Sequence, residues 1–211
     1  MDQPELANLM RKCGALVENT HVSLPSGAHT NGYFDQRNLI TSRMYQEVIA
    51  SSLVVRLLEF ENRVGIKTKA IVGPLNEGGL WGSPVRSYLI RVDPRREFRS
   101  VLTRPSRGDQ VFAVDLETAH QDGDYVKGNQ VVIMNDVIST GASVGPILRA
   151  VQEAGGFPVV ILSVCDRSVA NADLGGLEVL SLVKVSWQIW DPSKCPLCPD
   201  PPFVPHIGGG N

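Results

Sequence analysis

The chain has 211 residues and a formal net charge of −2; 43% of its residues are hydrophobic and 20% are charged. This length suits one domain with a buried core, and the near-zero charge gives no indication of a nucleic-acid or membrane-surface partner. The N-terminus is acidic and polar, unlike a signal peptide, and no apolar run is long enough to span a bilayer. We therefore expect a cytoplasmic protein.

The hydrophobic pattern predicts helices and strands in alternation through the first half of the chain. In chain order these are a helix over 5–17, strands and turns over 21–38, a helix from Ser42 to Gly65, a buried strand Ala70–Val72, and a helix through Tyr88 and Leu89. The next segment, 91–127, is basic in its first half and acidic in its second. Its irregularity predicts a β-hairpin or a mobile flap rather than core.

The pattern is strongest after residue 129. Residues 130–134 form a continuous apolar strand of the kind that is buried in a parallel sheet. An amphipathic helix over 143–153 ends at Gly155-Gly156, and a second buried strand covers 158–164. This βαβ unit has a right-handed crossover. It predicts a single α/β domain, in which a central, mostly parallel sheet is flanked by helices on both faces and followed by an extended tail, 199–211.

The first of these strands delivers Asn135 and Asp136 to its carboxyl end, where open α/β sheets bind ligands. A tight loop of small residues then opens the helix. It consists of Ile138, Ser139, Thr140, Gly141, Ala142 and Ser143. Backbone N–H groups at a helix start form an anion site, and the hydroxyls of Thr140 and Ser143 add donors. We predict a phosphate monoester in this loop, with Asp136 accepting hydrogen bonds from ribose hydroxyls.

Other phosphate-binding patterns fit this loop less well. A Walker A loop requires a lysine that does not follow Gly141, and a GxGxxG fingerprint is absent. The remaining alternative is a plain strand-to-helix turn capped by Ser143.

The stretch from Val131 to Ser143 resembles the phosphoribosyl pyrophosphate (PRPP) signature of type I phosphoribosyltransferases: a hydrophobic run, two acidic residues, then Thr-Gly-x-Thr/Ser. Asn135 stands at the first acidic position. The resemblance implies the type I phosphoribosyltransferase fold with an N-terminal hood (1–40) and a mobile flap, bound Mg²⁺, and a homodimer. It also implies catalytic roles for Asp136 and Asn135, with Arg104 and Arg107 of the flap closing over pyrophosphate.

Other parts of the chain are similar to the orotate phosphoribosyltransferases of that family. The resemblance implies a pyrophosphate loop containing Pro74, Gly78 and Gly79. It also implies a base pocket, whose predicted residues are Ser26, Gly27, His29, Thr30, Tyr33, Phe34 and Arg167. A guanidinium suits the carboxylate and carbonyl groups of orotate.

Four cysteines occur in the chain, namely Cys13, Cys165, Cys195 and Cys198. A cytosolic setting argues against disulfides. Cys195-Pro-Leu-Cys198 has metal-ligand spacing, and Cys165 or His206 could complete a zinc site. The alternative is a tight turn with reduced thiols, and the same tail is similar to that of one bacterial branch of the family. We therefore assign no residue as a metal ligand.

The sequence thus predicts a transferase that uses PRPP and Mg²⁺ to make orotidine 5′-phosphate from orotate. Two alternatives stay open. One is a phosphoribosyltransferase for another base in a specialised nucleoside pathway. The other is a weakened, PRPP-binding regulatory protein, for which Asn135 is the main argument.

Overall fold

A computed structural model describes residues 1–24, 26–75, 79–105, 112–114, 123–168 and 172–200. Within these ranges the helices are α1 (Gln3–Lys12), α2 (Arg37–Thr41), α3 (Arg43–Val64), α4 (Gly82–Val92), α5 (Gly123–Val126) and α6 (Val144–Glu153). The strands are β1 (Leu16–Ser23), β2 (His29–Phe34), β3 (Ala70–Pro74), β4 (Arg99–Pro105), β5 (Phe112–Val114), β6 (Gln130–Ile138), β7 (Phe157–Asp166), β8 (Val179–Lys184) and β9 (Ile189–Trp190). A 3₁₀ turn covers Pro192–Lys194.

The central sheet has the strand order β5-β4-β3-β6-β7-β8. All neighbours in it pair in parallel except β5, which runs antiparallel to β4. The mostly parallel α/β sheet that the sequence predicts is therefore confirmed. Because β3, β4, β6 and β7 point the same way, the loops that follow them meet at one edge of the sheet.

Helices cover both faces of the sheet, as predicted. One face packs against α1, α3 and α4 through buried side chains such as Met10, Leu53 and Leu89. The other face packs against α6 and α5 through side chains such as Ile147 and Val126. In β6, alternate residues are buried on opposite faces, which explains why residues 130–134 are continuously apolar.

A buried ion pair joins α3 to the segment before β4. Glu61 is 3% exposed, and its carboxylate accepts hydrogen bonds from the Arg96 guanidinium (2.7 Å) and from the backbone N–H of Thr68 (2.8 Å). These bonds compensate for the cost of burying the two charges.

The hood is a three-stranded antiparallel sheet of order β1-β2-β9. Its composition differs from the predicted 1–40 segment in two ways. Helix α1 buries Leu6 and Met10 in the main core rather than in the hood, and the C-terminal strand β9 joins β2.

The prediction that 91–127 lies outside the core is wrong for its first part. Strand β4 belongs to the central sheet, with Val101 and Thr103 buried. The predicted hairpin is present as the β4–β5 pair. Residues 106–111, which include Arg107, and residues 115–122 lie outside the described residues, as does the tail from 201 to 211. No helix that the described residues form is long and apolar enough to cross a membrane.

Candidate functional site

Strands β3 and β6 are neighbours, so the predicted pyrophosphate loop and the predicted phosphate loop begin side by side. After the first loop, the chain returns at Gly79 to the end of β3. A Cβ on Gly79 would overlap the carbonyl oxygen of Pro74, and a Cβ on Gly73 would lie 2.9 Å from the Cα of Gly79. Glycine is thus required at both positions, and the backbone at Gly79 lies close to the sheet edge. Gly78 lies outside the described residues.

The phosphate loop joins the end of β6 to the start of α6, as predicted. The N–H groups of Val144 and Gly145 donate to the carbonyl oxygen of Gly141 (2.9 and 3.0 Å), and no cap bond comes from the side chain of Ser143. For the backbone N–H groups of Thr140, Gly141 and Ser143, no acceptor exists among the residues that the structure describes. They are free to bind an anion at the positive end of a ten-residue helix.

Gly141 has a φ of +83°, in the left-handed region. A Cβ at this position would collide with the carbonyl oxygen of Asp173 and lie 2.8 Å from its carbonyl carbon. The N–H of Asp173 in turn donates to the carbonyl oxygen of Thr140 (3.1 Å). The segment around Asp173, which the sequence analysis did not single out, thus holds the loop in place.

Asn135 takes a role that the sequence analysis missed. It is 4% exposed, and its amide nitrogen donates to the carbonyl oxygen of Val137 (3.1 Å) and to the hydroxyl of Ser143 (2.8 Å). Both amide hydrogens therefore hold the loop together. Only the amide oxygen is left for the predicted contact with a ribose hydroxyl.

Asp136 is half-buried at the end of β6, where its carbonyl oxygen accepts a hydrogen bond from the hydroxyl of Ser163 (3.1 Å). Next to it is Cys165, whose pKa is raised to about 12 by burial. The nearby Arg167 guanidinium opposes this shift, and the carboxylates of Asp166 and Asp136 reinforce it. The charges of Asp136 and Arg167 therefore each lie near a neutral, buried thiol.

Arg167 is half-buried just beyond β7, and its N–H donates to the carbonyl oxygen of Ile138 (2.9 Å). Its guanidinium lies over the ring of Trp187, 5.6 Å from the centroid, and burial lowers its pKa. Trp187 packs on the hood, because a Cβ on Gly32 would lie 2.6 Å from the indole Cδ1. The sequence pattern does not single out Trp187. A glycine within a strand signals a close approach, but it does not identify the partner.

The predicted base-pocket residues divide between the two faces of β2, since alternate side chains of a strand point in opposite directions. Thr30 and Phe34 share the face of Gly32, towards Trp187, whereas His29 and Tyr33 lie on the other. Thr30 is fully buried and Phe34 packs into the main core. The imidazole of His29 contacts His21 and Cys198 on that other face.

The remaining predicted residues lie at the surface or beyond the described residues. Ser26 and Gly27 are exposed in the β1–β2 turn. Arg104 is exposed on β4, opposite Ala113 of β5.

Two polar atoms on the inner side of the hood, Oγ1 of Thr30 and Nε1 of Trp187, are buried and have no hydrogen-bond partner within the described chain.

The sequence is similar to several orotate phosphoribosyltransferases. It is 30% identical to the orotate phosphoribosyltransferase of Desulforamulus reducens over 198 residues, which cover 94% of this chain and 92% of that protein. It is 28% identical to the orotate phosphoribosyltransferase of Thermotoga maritima over 194 residues, covering 92% and 91% of the two chains. No protein-family model matches the chain.

Solved structures with a similar fold include two orotate phosphoribosyltransferases. The enzyme from Aeropyrum pernix superposes with a TM-score of 0.62 at 24% identity, covering 85% of this chain and 93% of that one. The enzyme from Mycobacterium tuberculosis in complex with inorganic phosphate superposes with a TM-score of 0.60 at 22% identity, covering 87% and 95%. These likenesses show that the chain has the type I phosphoribosyltransferase fold.

Proposed function

Because the chain belongs to the orotate phosphoribosyltransferase family, we propose that it transfers the 5-phosphoribosyl group of PRPP to orotate, giving orotidine 5′-phosphate and pyrophosphate. The observation that carries this proposal is the pair of adjacent loops after β3 and β6. In the second loop, the N–H groups of Thr140, Gly141 and Ser143 have no acceptor among the residues described. The enzyme from Mycobacterium tuberculosis, which has the same fold, was solved with PRPP bound.

In this proposal, the loop from Ile138 to Ser143 binds the 5′-phosphate through its amides and the start of α6. Asp136 accepts hydrogen bonds from the ribose hydroxyls and favours the positive charge that develops at the anomeric carbon. The backbone at Gly79, which lies at the end of β3, approaches the pyrophosphate. Catalysis rests chiefly on positioning and electrostatics, since pyrophosphate leaves as a ring nitrogen of the base attacks the sugar.

The residues at this edge fit a magnesium ion that arrives with PRPP. Mg²⁺ takes oxygen ligands, retains several waters and is commonly bound by one or two carboxylates together with substrate phosphates. Asp136 provides a carboxylate at the edge, half-buried at the end of β6. The carboxylate of Asp166 accepts a hydrogen bond from the N–H of Ser168 and lies 3.6 Å from the ammonium of Lys184. The bound ion supplies charge neutralisation of the leaving pyrophosphate.

We place the base between Arg167 and the inner face of the hood. The Arg167 guanidinium is held over Trp187, where its planar donors suit a carboxylate or a pair of carbonyl oxygens. The buried hydroxyl of Thr30 and the indole N–H of Trp187 lack protein partners within the described ranges. Such atoms are costly to bury alone, and polar groups of a bound base can satisfy them.

A panel of bases incubated with PRPP and Mg²⁺ tests the proposal, with the nucleotide product detected by mass spectrometry. We expect orotidine 5′-phosphate from orotate, and its loss in the Asp136→Asn variant. The control is Asp93→Asn, because Asp93 follows α4 at the opposite edge of the sheet and its carboxylate forms an exposed ion pair with Lys67. Product from another base alone would refute orotate as the acceptor, and full activity of Asp136→Asn would refute the assigned site.

A second candidate function is a PRPP-binding regulatory protein with weak catalysis. Asn135 favours it, because this residue stands at an acidic position of the signature and its amide holds the loop instead. PRPP binding measured by calorimetry, without turnover of any base in the panel, would support this candidate over the transferase.

We also propose a homodimer in which the β4–β5 flap of one chain reaches the site of the other. Mixing two inactive variants tests this arrangement, one altered at Asp136 and the other at Arg107. Random reassociation should restore about a quarter of the sites, because each mixed dimer then contains one intact pair. Continued inactivity of the mixture would show that each chain supplies its own flap.

A further inference from the structure

Four metal-binding side chains converge on the outer side of the hood, away from the base pocket. They are His21 of β1, His29 of β2, and Cys195 and Cys198 in the segment after β9. One candidate ligand atom from each side chain lies within 4.8 Å of all the others. His21, His29 and Cys195 are each 8% exposed, whereas Cys198 is exposed, so three of the four side chains are shielded from solvent.

Three of the six distances between these atoms are close to those around a tetrahedral ion. His21 Nε2 lies 2.9 Å from His29 Nδ1 and 3.5 Å from Cys195 Sγ, while Cys198 Sγ lies 3.2 Å from His29 Nδ1. A tetrahedral Zn²⁺ with the usual bond lengths has N···N edges of about 3.3 Å and N···S edges of about 3.6 Å. The observed edges therefore differ from these values by a few tenths of an ångström.

The orientation of His21 points to the same conclusion. Its Nδ1 lies 2.7 Å from the carbonyl oxygen of Asp200, which can only accept a hydrogen bond. Nδ1 therefore carries the proton, and the lone pair of Nε2 faces the cluster. Histidine ligands of metals characteristically donate their other N–H to a carbonyl or carboxylate in this way.

The fold brings the two pairs together across the length of the chain. The β1–β2 hairpin places both histidines on its outward face, and β9 pairs with β2 so that Trp190 lies opposite His29. The 3₁₀ turn that follows is capped by Asp191, whose carboxylate accepts from the N–H of Ser193 (2.9 Å). This turn directs Cys195 back towards the hairpin.

We propose that His21, His29, Cys195 and Cys198 bind one Zn²⁺ ion, which fixes the segment 191–200 to the hood. Two thiolates and two imidazoles in a tetrahedron are typical of zinc. Four protein ligands leave no open position, so the ion is structural rather than catalytic. This set of ligands for Cys195 and Cys198 does not include Cys165 or His206, the two candidates that the sequence offered. Cys165 is a core thiol whose pKa burial raises to about 12, and His206 lies outside the described residues.

Metal analysis of the full-length chain, purified without an affinity tag that binds metals, tests the proposal. We expect about one zinc per chain in the parent protein and less than about a tenth in Cys195→Ser/Cys198→Ser. The matched control is Cys13→Ser, because Cys13 lies outside the cluster and its thiol donates to the carbonyl oxygen of Met10 (3.4 Å). Zinc that persists in the double variant, or a parent chain without zinc after growth in zinc-supplemented medium, would overturn it.

Cobalt substitution covers the case in which the double variant fails to fold. The parent chain is stripped with a chelator and titrated with Co²⁺. We expect the intense visible d–d bands of tetrahedral cobalt and thiolate-to-cobalt charge-transfer bands in the near ultraviolet, saturating at one equivalent. A weak octahedral spectrum without charge transfer would refute the site. Neither measurement involves PRPP or a base, so this proposal and the transferase proposal can fail separately.

Discussion

Replacing Gly141 by alanine tests the architecture of the phosphate loop. Its φ of +83° would cost alanine about 1–2 kcal/mol. The added Cβ would also lie 2.8 Å from the carbonyl carbon and 2.9 Å from the nitrogen of Asp173. Relieving such an overlap costs about 1–3 kcal/mol more. The two effects together predict a loss of about 2–5 kcal/mol in the free energy of unfolding.

Gly128→Ala is the matched control. Gly128 has a φ of +73°, and a Cβ there would meet nothing within 4 Å. It lies in the turn before β6, at the opposite end of the strand from the loop. This variant should show only the conformational penalty, about 1–2 kcal/mol, and the same KM for PRPP as the parent chain.

The assay combines thermal unfolding with steady-state kinetics. In a chain of this size the melting temperature falls by about 2–4 °C per kcal/mol. Because Asp173 holds the loop, a shift of either backbone should misplace the amides and raise the KM for PRPP at least about tenfold, equivalent to about 1.4 kcal/mol. An unchanged KM in Gly141→Ala, or an equal rise in Gly128→Ala, would refute the reasoning.

Three further predictions concern the core and the loop. Glu61→Gln leaves the buried Arg96 guanidinium without a countercharge, which should lower the free energy of unfolding by about 3–5 kcal/mol. The control Glu59→Gln removes an exposed ion pair and should lower it by less than about 1 kcal/mol. Equal melting temperatures of the two variants would contradict this prediction. Cys165, with its pKa raised to about 12, has a thiolate fraction of about one in ten thousand at pH 8, so iodoacetamide should not label it in the native protein; labelling as fast as in the denatured chain would show that the thiol is not buried. Asn135→Asp replaces two used donors with acceptors, which should cost about 1–3 kcal/mol and weaken PRPP binding; calorimetry showing tighter binding would argue for an acidic residue here.

The sequence predicted the parts of the fold that depend on local pattern. The apolar run of β6, the helix α6 and the strand β7 are contiguous, so periodicity alone gave the βαβ unit and the position of the loop between them. Strand β4 was misassigned because its local apolar pattern is weak. Its inward positions are Val101 and Thr103, and the arginines beside them conceal the short apolar pattern.

The features that the sequence did not reveal depend on contacts between distant segments. Asn135 was expected to face the ribose, yet its amide bonds Ser143, a partner that becomes available only when the loop closes. The contact of Trp187 with Gly32 links the two ends of the chain. The same holds for the cluster of His21 with Cys195, which are separated by 174 residues. The spacing of Cys195 and Cys198 indicates metal ligands, but composition and spacing do not identify the distant partners in such pairs.

The central claim is that the backbone amides after β6 bind the 5′-phosphate of PRPP. A crystal structure with PRPP and Mg²⁺ tests it most directly. We predict phosphate oxygens within about 2.7–3.2 Å of the nitrogens of Thr140, Gly141 and Ser143, with the carboxylate of Asp136 on the ribose hydroxyls. A phosphate bound elsewhere, with these amides still unoccupied, would contradict the account.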